Sequence, residues 1–394
     1  MSGRSRPIAV ILASNTWGGT EIHTIALTAV LAARGHSCTI IELDQPQISR
    51  HRDRVAPGIA LRTIEAGGVP SPFALYRILR KSGSEVCVFA KAWPKLGSMW
   101  SDLACWLASR GRFLTIEHLT PPVRPPKSTR RHFGGLVPGL GLWWYANGLK
   151  LYLRSVFPRR IVGVSRGVTG DLTRQYGFPA RKVIAIPNGV DVTRYAPDPE
   201  ARQRVRAQWG VPAGGVVYGA VGRFSNFHKG HDIAVELFAR LCRDNPGAPL
   251  YCVLVGTGAD EAPLRAQAEG TGYGDRIRFP GPTDRPWEAH CGLDVFLMPS
   301  RFEGIGLALL EAMACGVPPV AMMTGGIQDV MTSPDLGWSA PAGDREAFLR
   351  GMQAALDAGE AGRREAGRRA REHVVRHFEA GEQYGRLADE IEQL

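Results

Sequence analysis

The chain has 394 residues, 44% of them apolar, and a formal net charge of +11. This length suits two domains of about 150–200 residues, each able to bury its own core. No apolar run reaches the roughly 18 residues that span a membrane, so the sequence excludes a spanning helix and favours a cytoplasmic protein. The positive charge indicates an anionic partner: nucleic acid, an anionic membrane or a phosphate-bearing substrate.

The first half alternates predicted strands and helices. Strand Ile8–Ala13, helix Glu21–Arg34 and strand Cys38–Leu43 form a βαβ unit, with Gly35 at the C-terminal cap of the helix. Further predicted elements are strand Val86–Ala90, helix Trp100–Ser109, strand Phe113–Glu117, helix Leu142–Phe157 and strand Arg160–Ser165. This alternation predicts a parallel sheet flanked by helices, which is an α/β fold.

A second α/β unit follows the segment Ile186–Asp191, which interrupts the alternation. Its predicted elements are strand Val216–Gly222, helix Asp232–Asp244, strands Leu250–Val255, Ile277–Phe279 and Val295–Met298, a helix containing Glu311, and strand Val317–Ala321. From Arg345 onward the chain is charged and helical. We therefore predict a first domain over 1–190, a second over 191–375 and a C-terminal helical segment over 376–394.

The most informative segment reads Glu-Gly-Ile-Gly-Leu-Ala-Leu-Leu-Glu over residues 303–311. Two glutamates eight positions apart bracket a Gly-x-Gly turn between a buried strand and a helix. Free backbone amides and the positive end of a helix make such a turn an anion site. Glu311 lies too far along the helix to cap it, and its carboxylate can accept hydrogen bonds from a sugar diol such as a ribose.

This block resembles the Glu-x7-Glu signature of retaining glycosyltransferases of family GT4, which have the GT-B fold. The following Leu-Leu-Glu-Ala-Met-Ala-Cys-Gly-x-Pro and the later Gly325-Gly326 match the family pattern in order and spacing. The resemblance implies two Rossmann-like domains that face each other across a cleft. It implies that the first domain binds the acceptor, that the second binds a nucleotide sugar, and that the last helix crosses back to the first domain.

The resemblance also implies site residues. Arg223 and Lys229 would bind the diphosphate, on which negative charge grows as the glycosidic bond breaks; their spacing is one residue longer than the Arg-x4-Lys that we expect. Glu303 would contact the donor sugar, and His118 would lie near that sugar, so these four residues are the predicted catalytic groups. The further predicted donor-binding residues are Gly18, Gly19, Gly304, Ile305, Gly306, Leu307 and Glu311.

Retention of configuration is implied as well, with the leaving phosphate oxygen assisting deprotonation of the acceptor. No protein nucleophile is then needed. We predict no metal and no cofactor, because GT-B enzymes generally act without a metal and the chain has no Asp-x-Asp motif. Seven cysteines without a C-x-x-C pair favour buried free thiols in a reducing compartment over a zinc site.

The interval 124–166 combines many cations with Trp and Tyr, and no acidic residue occurs between Glu117 and Asp171. Lys150 and Arg154 are four positions apart, on one face of the predicted helix. This composition suits an anionic membrane surface, at the cytoplasmic face of an inner membrane, or a phosphate-linked acceptor. Alternatively, part of the interval is core, with Leu153 turned inward. No nucleic-acid motif is present, so we predict no nucleic-acid partner.

The sequence thus predicts a retaining glycosyltransferase that moves a sugar from a nucleoside diphosphate sugar to a glycan or lipid-linked acceptor, in bacterial surface polysaccharide or glycolipid synthesis. Three alternatives remain. A dinucleotide-binding enzyme would place Asp44 on a ribose, but the loop Ser14–Thr20 lacks G-x-G-x-x-G. A GT-B epimerase or phosphorylase would use the same donor site, and a non-catalytic scaffold would retain only the fold.

Overall fold

The structure is a computed structural model that describes residues 5–13, 17–43, 46–64, 71–92, 98–120 and 152–394. Its contacts divide the chain into two units. The first unit consists of Met1–Asn188 and Gly381–Leu394, and the second of Gly189–Ala380. The sequence analysis placed the corresponding boundaries at residues 190 and 375.

The first unit contains a parallel sheet with seven strands in its described part, in the order β3-β2-β1-β4-β5-β6-β7. The strands are β1 Pro7–Ala13, β2 Ser37–Leu43, β3 Ala60–Ile64, β4 Val86–Lys91, β5 Phe113–Glu117, β6 Arg160–Gly163 and β7 Val183–Ala185. The helices are Gly19–Ala33, Pro72–Lys81, Met99–Ala108 and Arg166–Arg174, with 3-10 turns at Ser49–Arg54 and Ala180–Lys182. Every residue of β4 is buried, as expected for a central strand of a parallel sheet.

The second unit contains a six-stranded parallel sheet in the order β10-β9-β8-β11-β12-β13. The strands are β8 Val216–Val221, β9 Leu250–Val255, β10 Ile277–Gly281, β11 Val295–Met298, β12 Pro319–Met323 and β13 Trp338–Pro341. The helices are Pro199–Gln208, Asn226–Lys229, His231–Asp244, Glu261–Gly270, Pro286–Cys291, Leu307–Ala314, Ile327–Val330, Arg345–Asp357 and Gly359–His377, with 3-10 turns at Gly274–Arg276 and Pro334–Leu336.

Helix Ala380–Glu392 packs on the first unit, although it follows the second unit in the chain. Arg34 Nη1 lies 2.7 Å from Asp389 Oδ1, and His36 Nε2 lies 3.0 Å from Glu392 Oε1. Tyr384 is buried, and its ring meets that of His23 edge to face with centroids 5.1 Å apart. The helix therefore completes the core of the first unit.

The predicted α/β class is confirmed, and three strands that the sequence analysis missed, β3, β7 and β13, are short and lie toward sheet edges. Several predicted boundaries were wrong. The strand predicted to end at Ser165 ends at Gly163, because the Ser165 hydroxyl accepts from Val168 N and caps the next helix. The strand predicted from Val317 begins at Pro319.

The predicted helix over residues 142–157 lies mostly outside the described residues, as do Asp44 and Lys150. Its described end is helical only over residues 152–154, so the predicted end at Phe157 is too late. All seven cysteines are free and buried, as predicted. No helix in the described part of the chain is long and apolar enough to cross a membrane.

Candidate active site

The candidate site of the second unit lies at the carboxyl ends of two adjacent central strands, β8 and β11. Ligands of open parallel sheets bind beyond this edge, where loops leave the strands. The loop after β8 carries Arg223, which is exposed, and leads into the short helix that ends at Lys229. The loop after β11 carries Glu303. The topology therefore brings these two loops together.

Lys229 and Glu303 form a close ion pair. Lys229 Nζ lies 2.8 Å from Glu303 Oε1, and the Ser300 hydroxyl donates to the same oxygen at 2.8 Å. Only 6% of the Glu303 side chain is exposed. Burial alone would raise the pKa of this carboxyl, but Lys229 and His228 outweigh burial and hold the pKa well below its usual range. Glu303 is therefore an ionised, buried acceptor of hydrogen bonds.

Two glycines allow the chain to close around this pair. Gly230 directly follows Lys229 and has a φ of +68°, and a Cβ atom there would lie 2.3 Å from Pro299 O. Gly325 has a φ of +51°, and its Cβ would lie 2.1 Å from Glu303 O. Only glycine accepts both this backbone conformation and such contacts without displacement. The Gly325-Gly326 turn therefore supports the Glu303 loop, and Gly326 N donates to Glu303 O at 3.3 Å.

A second ion pair ties the two loops together. The Arg301 guanidinium donates to both carboxylate oxygens of Asp232, at 3.0 and 2.8 Å, and Arg301 N donates to His228 O at 2.9 Å. A bidentate pair of this kind fixes orientation as well as distance. The position of Lys229 beside Glu303 is thus held from both sides.

Glu311 lies inside helix Leu307–Ala314, which begins after Gly306 in the left-handed conformation. Gly304, Ile305 and Gly306 are buried, so the turn itself is packed against the unit. Glu311 Oε2 lies 3.4 Å from Nε2 of the fully buried His290. The Glu311 side chain is 14% exposed, so the carboxylate remains partly accessible.

The loop that carries Arg223 is shaped by a second pair of glycines. A Cβ atom on Gly256 would lie 2.0 Å from Gly222 O, and one on Gly258 would lie 2.2 Å from Phe224 O. Phe224 N donates to Thr257 O at 2.9 Å. The loop after β9 therefore sets the path of the Arg223 loop.

The first unit places its own predicted residues at the carboxyl ends of its strands. Gly18 and Gly19 begin helix Gly19–Ala33 after β1, and His118 follows β5. His118 is buried, and its ring meets that of His23 edge to face with centroids 4.6 Å apart. Burial and the neighbouring His23 hold the pKa of His118 well below its usual value. His118 is accordingly a neutral imidazole.

Two family profiles together cover most of the chain. The profile described as Glycosyltransferase Family 4 matches residues 17–194, and the one described as Glycosyl transferases group 1 matches residues 201–373. The 2-deoxystreptamine N-acetyl-D-glucosaminyltransferase of Streptomyces fradiae is 31% identical over 357 residues, which cover 84% of this chain and 81% of the relative. The chain is a GT4-type glycosyltransferase.

Other proteins support the same conclusion. The D-inositol 3-phosphate glycosyltransferase of Jonesia denitrificans is 26% identical over 370 residues, covering 86% of this chain and 83% of the relative. The crystal structure of Anabaena Alr3699/HepE in complex with UDP and glucose matches with a TM-score of 0.78 at 17% identity, covering 99% of this chain and 100% of that chain. This structural likeness establishes that the glycosyltransferase has the GT-B fold.

The structure of this glycosyltransferase also shows polar residues that the sequence analysis did not assign. Ser300 and His228 lie beside Glu303, and His290 lies beneath Glu311. Ser300 and His228 could have been found from their proximity to predicted site residues in the sequence: Ser300 precedes Glu303 by three positions, and His228 directly precedes Lys229. His290 had no comparable signal, because its contact with Glu311 joins separate helices.

A buried ionic network in the first unit was also missed. Asp102 accepts from Lys91 Nζ at 2.8 Å and from Arg154 Nε at 3.0 Å, and Glu117 Oε1 lies 3.8 Å from Lys91 Nζ. All four side chains are nearly inaccessible. Burial raises the pKa of Glu117 above its usual value, against the opposing effect of the two cations. Glu117 therefore belongs to this buried network.

The interpretation of Arg154 as a surface cation was wrong. Arg154 is buried and pairs with Asp102, because a long side chain from this segment reaches the core beside β4. Leu153, predicted as core in the alternative interpretation, is instead 38% exposed. Residues 124–151 of the basic interval lie outside the described residues.

Proposed function

We propose that this glycosyltransferase transfers a sugar from a nucleoside diphosphate sugar to a glycan or lipid-linked acceptor with retention of configuration, in bacterial surface polysaccharide or glycolipid synthesis. The observation that carries the proposal is the ionised Glu303 paired with Lys229 at the carboxyl edge of the second sheet. An ionised carboxylate can accept hydrogen bonds from the sugar hydroxyls of such a donor, and the neighbouring cation can neutralise the charge on its phosphates.

In this mechanism Arg223 and Lys229 stabilise the diphosphate as the bond from the anomeric carbon to its oxygen breaks. The acceptor hydroxyl attacks from the same face, and its proton passes to the leaving phosphate oxygen. Glu303 and the amides of Gly304, Ile305, Gly306 and Leu307 hold the sugar and phosphate. No protein nucleophile and no metal is required for these steps.

The supporting groups have separate tasks. Glu311 accepts from the ribose hydroxyls, and His290 fixes one of its carboxylate oxygens. His118 donates to the donor sugar as a neutral imidazole, which adds no positive charge beside an electron-poor anomeric carbon. Gly18 and Gly19 let the backbone approach the phosphate at the start of their helix.

Relatives suggest which donors to test first. Anabaena Alr3699/HepE was crystallised with UDP and glucose, and a Mycolicibacterium smegmatis relative is named as a GDP-mannose-dependent mannosyltransferase. A thermal-shift panel with UDP, GDP, ADP, TDP and CMP therefore comes first. A ligand at a hundred times its Kd stabilises by about 2.7 kcal/mol, which corresponds to a shift of about 5–10 °C for a domain of this size.

The panel is run on the wild type, on Glu311→Ala and on Glu360→Ala as a matched control, since Glu360 is 70% exposed on another helix of the same unit. We expect one nucleotide to shift the wild type and the control but not Glu311→Ala. An equal shift in Glu311→Ala would remove this residue from the ribose site, and no shift with any nucleotide would contradict the proposed donor class. Donor incubation without acceptor then separates slow hydrolysis from epimerisation.

A membrane-bound acceptor is the second part of the proposal. Tyr152, Leu153 and Val156 are 49%, 38% and 49% exposed, next to the cationic interval. Exposed apolar side chains beside Lys and Arg suit a peripheral contact with anionic lipid. Replacing all three by serine should reduce co-sedimentation with anionic vesicles. Unchanged sedimentation would assign the interval to a different partner.

A further inference from the structure

His228 occupies a position to which the proposed mechanism gives no task. It lies on the short helix Asn226–Lys229, directly before Lys229, and its side chain is 16% exposed. Its ring stacks on that of Phe302, with centroids 4.7 Å apart and planes inclined by 13°. This stack fixes the plane of the imidazole beside the Glu303 loop.

The stacked ring points one nitrogen at Glu303. His228 Nε2 lies 3.7 Å from Glu303 Oε2, whereas Lys229 and Ser300 both contact Oε1. His228 Nε2 is buried and has no hydrogen-bond partner among the described residues. A buried nitrogen without a partner costs free energy, so a function for it is expected.

The ionised state of Glu303 determines which ring nitrogen of His228 carries the proton. An ionised carboxylate only accepts hydrogen bonds, so the nitrogen that faces it must be Nε2–H. The distance of 3.7 Å is longer than a hydrogen bond, and such contacts often shorten when substrate binds. The backbone is already fixed, because Arg301 N donates to His228 O. A small side-chain adjustment is therefore enough to complete the bond.

We infer that His228 is a positioning residue for the donor sugar: by donating to Oε2, it stops rotation of the Glu303 carboxylate, whose other oxygen is held by Lys229 and Ser300. A carboxylate held at both oxygens presents its remaining lone pairs to the sugar hydroxyls in one orientation. This role rests on the proposed function, in which Glu303 holds the donor sugar. It assigns His228 to the sugar half of the donor and leaves the nucleotide half to other residues.

The test compares two replacements of His228, each of which keeps one property of the histidine side chain and removes another. His228→Phe keeps a ring to stack on Phe302 but loses the N–H, and His228→Gln keeps an N–H donor but loses the stacked ring. Glu360→Ala is the control, because Glu360 is 70% exposed on another helix of the same unit. The readouts are UDP and GDP affinity by calorimetry, and the kcat for nucleoside diphosphate release from UDP-glucose, UDP-N-acetylglucosamine or GDP-mannose.

We expect His228→Phe to lower kcat by about 10–100-fold, the effect of one hydrogen bond to a charged group. His228→Gln should recover most of that loss, and nucleoside diphosphate affinity should stay within about twofold in all variants, which also reports that they fold. Unchanged kcat in His228→Phe, or an equal loss in both variants, would overturn the role of His228. A wild type that binds neither UDP nor GDP would overturn the proposed function itself, and this role with it.

Discussion

The buried network around Asp102 allows a prediction that is independent of any substrate. Lys91 and Arg154 supply two cations, and Asp102 and Glu117 supply two acids, so the group is formally neutral. Asp102→Ala would remove the acid that both buried cations contact, and would leave Lys91 with Glu117 at 3.8 Å. Breaking a buried pair in this way costs about 3–5 kcal/mol, because the remaining charge stays desolvated. We expect the first unit to lose stability on that scale.

The assay is differential scanning calorimetry, combined with hydrogen exchange to localise the change. At about 2–4 °C per kcal/mol for a unit of this size, the melting temperature of the first unit should fall by roughly 6–20 °C. Amides of β4 and β5 should exchange faster, while those of the second unit should be unaffected. Asp389→Ala is the matched control, because Asp389 pairs with Arg34 in the same unit but is 57% exposed; its cost should be below about 1 kcal/mol.

A companion variant tests the reasoning itself. Replacing Asp102 by Leu and Arg154 by Met removes an acid and a cation together, which keeps the balance with Lys91 and Glu117. Hydrophobic replacement of a complete buried pair is often neutral or stabilising, so this variant should recover at least half of the loss. If Asp102→Ala costs less than about 1 kcal/mol, or if the double variant is worse than the single one, the network does not depend on charge balance.

Three further predictions concern pH, backbone and catalysis. Burial lowers the pKa of His23 to about 3 from an ordinary 6.5, so the unfolded chain takes up a proton before the folded one as pH falls. The free energy of unfolding of the first unit, measured by urea melts, should therefore drop by up to about 1.4 kcal/mol per pH unit below pH 6.5. The same pH dependence in His23→Phe would contradict this prediction. Gly230→Ala should lower stability more than Gly210→Ala. Both positions have a φ near +67°, but only at Gly230 would the added Cβ atom meet a carbonyl oxygen, that of Pro299. Equal melting temperatures would show that the structure relaxes this contact without cost. Lys229→Ala should reduce kcat more than nucleotide affinity, because negative charge on the phosphate grows in the transition state. Equal losses of kcat, measured by kinetics, and of nucleotide affinity, measured by calorimetry, would refute this prediction.

Much of the fold could be predicted because buried parallel strands are short apolar runs between glycines. Strand β5 was predicted at its observed bounds, as were β9 and β11. Strand β3 was not, because its residues alternate in burial at the edge of the sheet and include Arg62 and Thr63. Such a strand is defined by its pairing with β2, which the sequence does not display.

The candidate site was predictable where residues occupy one continuous motif. Glu303, the glycines after it and Glu311 occupy one continuous stretch of the chain, and its resemblance to the family pattern was enough to predict them as site residues. Contacts between separate segments could not be predicted: the distance from Lys229 to Glu303 depends on the neighbouring positions of β8 and β11. Arg154 was wrongly predicted to lie on the surface, because a segment rich in cations does not reveal that one of its arginines pairs with a buried aspartate.

The division of the first unit into two pieces of chain has a consequence for synthesis. The surface that receives Tyr384, Leu387 and Ile391, all buried in the finished unit, is made before its cover. At about 5–20 residues per second, the ribosome needs roughly 10–40 s to make the intervening Gly189–Ala380. During that interval the second unit, which is continuous, can fold while the first waits with an apolar face exposed. Nascent chains should therefore bind chaperones through the first unit until helix Ala380–Glu392 emerges.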